Sequence, residues 1–390
     1  MVYYLTERKQ EIHLRYKKMN QKGCITMKRI FALFFALCLL AGCIQIAAGE
    51  EEIPSLKDVY AGKFDFGAAA PRKAFQNMQT MELMAEQFNI LTPENELKPN
   101  FVIDWVKSKK KVLETGDQTA VAVHLDSAKL LLDFAKAHGI RVHGHVLLWH
   151  IETKDEFFHE GYVVSAPLLN REQMLGRLEN YIAGLMELLE QQYPGVVVSW
   201  DVVNEAIDDG SHALRKSLWY EVVGEDYVER AFELARKYAP EGTLLYYNDY
   251  NTAYPGKLKG ILQLLEKLQA EGNIDGYGFQ MHHRVREPGM GMLTNAVKAV
   301  AALGLKLRVS ELDVGVSKNT EEDFQKQAKK YADVMKLMLE YADQTEAVEV
   351  WGLTDNMSYR SYEYPLLFDA SCNPKPAFWA VVNPDAEGGW

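Results

Sequence analysis

The chain has 390 residues, 48% of them hydrophobic and 25% charged, which excludes disorder, collagen and coiled coil as the main class. Fifty-four acidic against 43 basic residues give a net charge of −11, so the chain gains no counterion-release affinity for nucleic acid or anionic lipid. A neutral or cationic partner fits better.

Residues 1–26 hold a basic run from Arg8 to Lys18 and a lone Cys24, and read as an upstream extension before the start at Met27. Lys28 and Arg29 then precede 11 apolar residues, Ile30 to Leu40. That run is too short to cross a bilayer of about 30 Å, but it suits a signal h-region. It ends in Leu40-Ala41-Gly42-Cys43, which resembles a bacterial lipobox with Cys43 as the lipid anchor. An ordinary cleaved leader with an incidental cysteine is the alternative. The expected location is outside the cytoplasm: a cell-surface or periplasmic lipoprotein, or one released extracellularly. Residues 27–43 thus read as the leader, 44–57 as an acidic tether, and 58–386 as a single domain. Only Cys43 and Cys372 survive maturation, so no disulfide within one chain is expected if Cys43 is lipidated. No Cys/His spacing suggests a metal.

From there short apolar runs alternate with amphipathic helices. The runs are 64–69, 89–92, 141–148, 196–203, 244–248, 276–281, 306–312 and 348–353. Helices are predicted over 126–138, stopping at Gly139, over 171–192, and after Thr320 as N-cap. Eight strand–helix units in one domain predict an α/β fold, a closed (β/α)₈ barrel. No glycine-rich loop follows the first run, which argues against a dinucleotide fold.

Barrel active sites gather at the C-terminal ends of the strands. The fourth run ends in Asn204-Glu205, and the seventh carries Glu311 and Asp313 on one side of an extended chain. Each glutamate alone reads equally as a surface or structural carboxylate. Two of them in a barrel mouth suit glycoside hydrolysis, where one protonates the leaving oxygen and the other attacks the anomeric carbon. A gap of about 5–5.5 Å gives retention and about 6.5–9.5 Å inversion, a choice the sequence leaves open. The other strand ends supply Glu94, Asn95 and Lys98, then His145 and Trp149, Gln280 and His282, and Trp351 and Tyr359. Histidines near strands are often structural, and tryptophans often core. In an open cleft a Trp face suits the apolar C–H face of a sugar.

With these residues in place, the chain resembles glycoside hydrolase family 10, the endo-β-1,4-xylanases, from about Phe64 to Phe378. The likeness is carried by FGAA, NILTPENELK, HGHVLLWH, WDVVNEA, YNDYN, GFQMHH, SELDV, VWGLTD and PLLFDASCNPKPAF in that order. The resemblance implies a retaining double displacement without cofactor or metal, with xylan and xylo-oligosaccharides as partners and a monomeric state. It implies Glu205 as acid/base and Glu311 as nucleophile, with Asn204, His282 and Asp313 in support. It also implies a sugar-binding wall of Glu94, Asn95, Lys98, His145, Trp149, Gln280, Trp351 and Tyr359. The chain departs from the pattern at Pro99, His143 and Tyr359, where the family often has Trp, Arg and Trp. Such changes bear on subsite affinity, by about 1–3 kcal/mol per stacked ring. A mannanase or cellulase of the same architecture, or an inactive surface sugar-binding lipoprotein, are the competing readings.

Overall fold

The computed structural model describes residues 53–386, Gly388 and Trp390. The expected upstream extension, leader and Cys43 anchor lie outside the described residues.

Among the described residues nine strands form, all parallel: β1 Asp65–Ala70, β2 Ile90–Pro93, β3 Arg141–Leu148, β4 Val197–Asn204, β5 Leu244–Asp249, β6 Gly276–Phe279, β7 His282–Arg284, β8 Lys306–Gly315 and β9 Thr345–Val350. Eight of them close a ring, β1 to β6 in order, then β8 and β9. The ring shuts where β9 pairs with β1, with Phe66 opposite Val348. This is the expected (β/α)₈ barrel. The three-residue β7 extends the β6 line after a break at Gln280 and Met281, and sets His282 opposite Asp313 of β8.

The helices form where their apolar stripes lie. Arg171–Gln192 opens on a capping box between Asn170 and Gln173 and buries Met174, Leu178, Tyr181, Leu185 and Leu189. Glu321–Glu340 starts from Thr320, whose hydroxyl accepts from the Asp323 N–H at 3.3 Å. Lys129–His138 ends at Gly139 with φ 66°, the left-handed cap that glycine permits. Residues 126–128 make a turn before it, so that helix is shorter than the sequence suggests.

Three boundaries shift. Leu56 is wholly buried in a short helix, Leu56–Val59, so the expected tether over 44–57 runs into the folded domain. The eighth run lies about three residues early, at Thr345–Val350, and Trp351 follows the strand rather than sitting in it. The seventh continues to Gly315, so Glu311 and Asp313 lie within β8 and not at its end. Apolar content alone does not mark where a strand stops once polar residues carry on its pleat.

Irregular register aims side chains at the barrel mouth. A shift between Asp201 and Val203 in the β4–β5 pairing lets Asp201 and Asn204, three residues apart, reach His145 on β3 and Asn248 on β5. On β6, a side chain at Gly278 would collide with the Asn248 amide, so glycine leaves the space that Asn248 fills.

Candidate active site

Two carboxylates occupy the mouth in different surroundings. Glu205, directly after β4, is partly buried. Its φ of 58° is a left-handed conformation that costs a non-glycine residue on the order of 1–3 kcal/mol. Its backbone is held there by an N–H bond to Asn248 O at 2.9 Å and by Arg215 Nε donating to its carbonyl at 3.2 Å. The carboxylate accepts from Trp149 Nε1 and from Gln280 Nε2, both at 2.9 Å. Both donors are neutral. Trp149 is itself fixed through its carbonyl, which accepts from Thr153 at 3.0 Å and from Trp219 at 3.3 Å.

Glu311 is 5% exposed. One oxygen accepts from Asn248 Nδ2 at 2.8 Å and the other lies 3.0 Å from His282 Nε2. His282 Nδ1 lies 2.8 Å from Asp313, so the imidazole sits between two carboxylates. Burial acts to lower the His282 pKa, but the charges and hydrogen bonds of Asp313 and Glu311 outweigh it and raise it to about 10. Burial likewise acts to raise Glu311, and the hydrogen bond and charge of cationic His282 outweigh it, holding the carboxyl below its usual value. Glu311 is therefore ionised at neutral pH.

Amide groups bridge the two acids. Gln280 Nε2 bonds Glu205 at 2.9 Å and Asn204 Oδ1 at 3.1 Å, and Asn204 Oδ1 accepts from Asn248 Nδ2 at 3.1 Å. Asn248 Nδ2 then reaches Glu311 at 2.8 Å. The Ser310 hydroxyl donates to Asn248 Oδ1 at 2.6 Å, which fixes the amide with its NH₂ toward the acids.

The remaining predicted residues surround this pair. Lys98 Nζ donates to Asn95 Oδ1 at 2.9 Å and lies 4.9 Å from the Trp149 ring. Half-buried Glu94 follows β2, within the field of Lys98; burial pushes its carboxyl up and Lys98 opposes this. Trp351 stands edge-on to His145 at 5.4 Å and to His282 at 6.4 Å. Tyr359, edge-on to His282 at 5.4 Å, is 57% exposed and thus open to a passing ring. His145 differs from expectation. It lies within β3, and its Nδ1 bonds buried Asp201 at 2.8 Å rather than either acid. His143 also reaches Asp201, at 3.1 Å, so two histidines share one aspartate.

Sequence reasoning missed Asn248, Asp201 and Ser310. Asn248 could have been found, because it stands at the end of the fifth run, in the YNDYN motif. Asp201 lies inside an apolar strand, where nothing nearby in sequence announces its histidine partners.

Residues 55–384 match the glycosyl hydrolase family 10 model. The chain belongs to that family. Endo-1,4-beta-xylanase B of Butyrivibrio fibrisolvens is 37% identical over 338 residues, covering 84% of this chain and 53% of the relative. The beta-1,4-xylanase of Dictyoglomus thermophilum is 32% identical over 384 residues, covering 93% and 99%. Among solved structures, an intracellular xylanase of Thermoanaerobacterium saccharolyticum, as a mutant with xylotriose, is similar at a TM-score of 0.76. It is 31% identical, with 85% of this chain and 99% of that one covered. The family 10 chain thus spans about half the length of the first curated relative it matches.

The His282 charge carries a stability consequence. A histidine whose folded pKa lies above its unfolded value stabilises fully below the unfolded pKa, and loses that contribution as pH rises through the folded one. Wild-type protein should therefore lose stability, on the order of a few kcal/mol, between about pH 6.5 and about pH 10 through this group. Denaturant melts across that window should show a flatter profile for His282→Asn. Parallel profiles would refute the charge assigned to His282.

Proposed function

We propose that this chain is an endo-1,4-β-xylanase that cleaves internal xylosidic bonds by a retaining double displacement. Glu205 serves as acid/base and Glu311 as nucleophile. The observation that carries this reading is the unequal pair: the Glu311 carboxylate meets a cationic imidazole, whereas the Glu205 carboxylate accepts its hydrogen bonds from neutral Trp149 and Gln280.

In the first step the Glu311 carboxylate attacks the anomeric carbon while Glu205 gives its proton to the leaving oxygen. The product is a covalent glycosyl-enzyme. In the second step Glu205, now a carboxylate, takes a proton from water, which attacks the same carbon and releases Glu311. Asn204, joined to both acids through the Gln280 and Asn248 amides, would hydrogen-bond the sugar 2-hydroxyl, a contact that strengthens in the transition state. Xylan as substrate is supported by relatives that are xylanases and by similar structures holding xylotriose and xylohexaose.

Proton NMR of fresh products from xylo-oligosaccharides tests this directly. The β-anomer should appear first, and the α-anomer should grow in only by mutarotation. A first-formed α-anomer would sink the double displacement. Faster cleavage of glucomannan or carboxymethylcellulose than of xylan would sink the substrate.

A further inference from the structure

A line of alternating charges runs outward from the proposed nucleophile to solvent. Glu311 meets His282, and His282 meets Asp313. The second oxygen of Asp313 accepts from Arg360 Nη1. Arg360 Nε donates to Glu363 Oε2 at 2.9 Å, and its Nη2 bonds the same oxygen. Glu363 Oε1 in turn accepts from Arg284 at 2.7 and 3.2 Å. The line thus alternates acid and base through six side chains. Asp313 is wholly buried and Arg360 only 8% exposed, whereas the Arg284 side chain is 67% exposed.

Local structure is built around this line. Arg360 and Glu363 come from the segment after β9. That segment is strapped to the end of β8 and the residue after it by Val314 N–H to Pro365 O at 3.1 Å and Val316 N–H to Glu363 O at 2.8 Å. A side chain at Gly315 would collide with the Glu363 carboxylate and the Arg360 guanidinium, so β8 leaves a gap that this pair fills.

We infer that Arg360 and Glu363 are positioning residues for the reaction, setting the charge and orientation of the nucleophile through Asp313 and His282. The inference rests on Glu311 being that nucleophile. A guanidinium is always charged, so Arg360 is a permanent cation beside Asp313. With it in place Asp313 stays an acceptor, His282 keeps its proton on the Asp313 side, and Nε2–H points at Glu311. Other charged or titratable groups face the same line. Lys98, His145 and Asp201 stand toward Glu311, and Lys330, His283 and Tyr331 toward the Arg360 end.

The test is the acid limb of kcat/KM on an aryl β-xyloside, which reports the ionisation of the free enzyme's essential base. Arg360→Met removes a positive charge, so protonation of the carboxylates becomes easier and the limb should move up by about half a pH unit. Glu363→Gln removes a negative charge and should move it the other way. Arg360→Lys should restore the wild-type limb. In Arg360→Met, kcat should fall roughly tenfold, in line with outer partners that orient a functional histidine, with a smaller change in KM. Limbs that stay at the wild-type pH, or that move together in both charge variants, would overturn the inference. If Arg360→Met does not fold, Glu363→Gln decides, since it keeps the guanidinium: an unmoved limb refutes and a lowered limb supports. Glu311→Ala serves as the separate control. Activity surviving there would remove the underlying reading, whereas its loss alongside unmoved limbs would remove only the role of Arg360 and Glu363.

Discussion

Glu311→Ala is expected to lower xylan hydrolysis roughly 10⁵-fold, about 7 kcal/mol of barrier. The size follows from chemistry. Without the carboxylate no glycosyl-enzyme forms, and neither Asn248 nor His282, its two partners, offers a negative oxygen in its place. The deletion also leaves a small void beside cationic His282. An azide ion fits the chemistry of that void, since it carries a negative charge and attacks carbon. On an aryl β-xyloside with a good leaving group, azide should restore turnover and give the α-xylosyl azide by a single inversion. Product NMR reads this out, and near-wild-type rates without azide would dismiss the assignment.

Glu205→Ala should behave differently, because an acid matters only when the leaving group needs its proton. Hydrolysis of xylan, whose leaving group is a sugar hydroxyl, should fall by about 10³-fold, within the range for general acid–base catalysis. An aryl xyloside with an acidic phenol should still form the glycosyl-enzyme and then stall, because no base activates water. Azide needs no base. It should attack the stalled intermediate from the opposite face and release the β-xylosyl azide. The two variants should therefore give azides of opposite anomeric configuration. The same anomer from both would mean that the two roles are not divided as proposed. Equal losses of kcat/KM on xylan and on the activated substrate would likewise argue against an acid at Glu205, because kcat/KM reports the step that forms the glycosyl-enzyme.

Much of the arrangement is legible in the order of residues alone. The alternation of apolar runs with helical stripes marks eight strand–helix units, because strand and helix impose different periods on buried residues. Asn170, Thr320 and Gly139 announce helix ends through local hydrogen bonds and a local backbone preference. Glu205 and Glu311 stand out because a carboxylate in an apolar strand context is costly unless it is paired or used. Boundaries were less legible. The Leu56 helix and the true limits of β8 and β9 depend on what covers them.

The partnerships were not legible. His145 lies near the acids in the expected motif order, yet it bonds Asp201, 56 residues away. Asn248 links Asn204, 44 residues away, to Glu311, 63 residues away. Arg360 reaches Asp313 across 47 residues. The chain's order of residues determines which strands and helices form, and which side chains stand at one end of the barrel, because those depend on neighbours a few positions apart. Closure of the ring decides which of these side chains touch, and so which carboxylate is held ionised. Burial and the charge of a distant imidazole act through space, and they exist only after the strands have met.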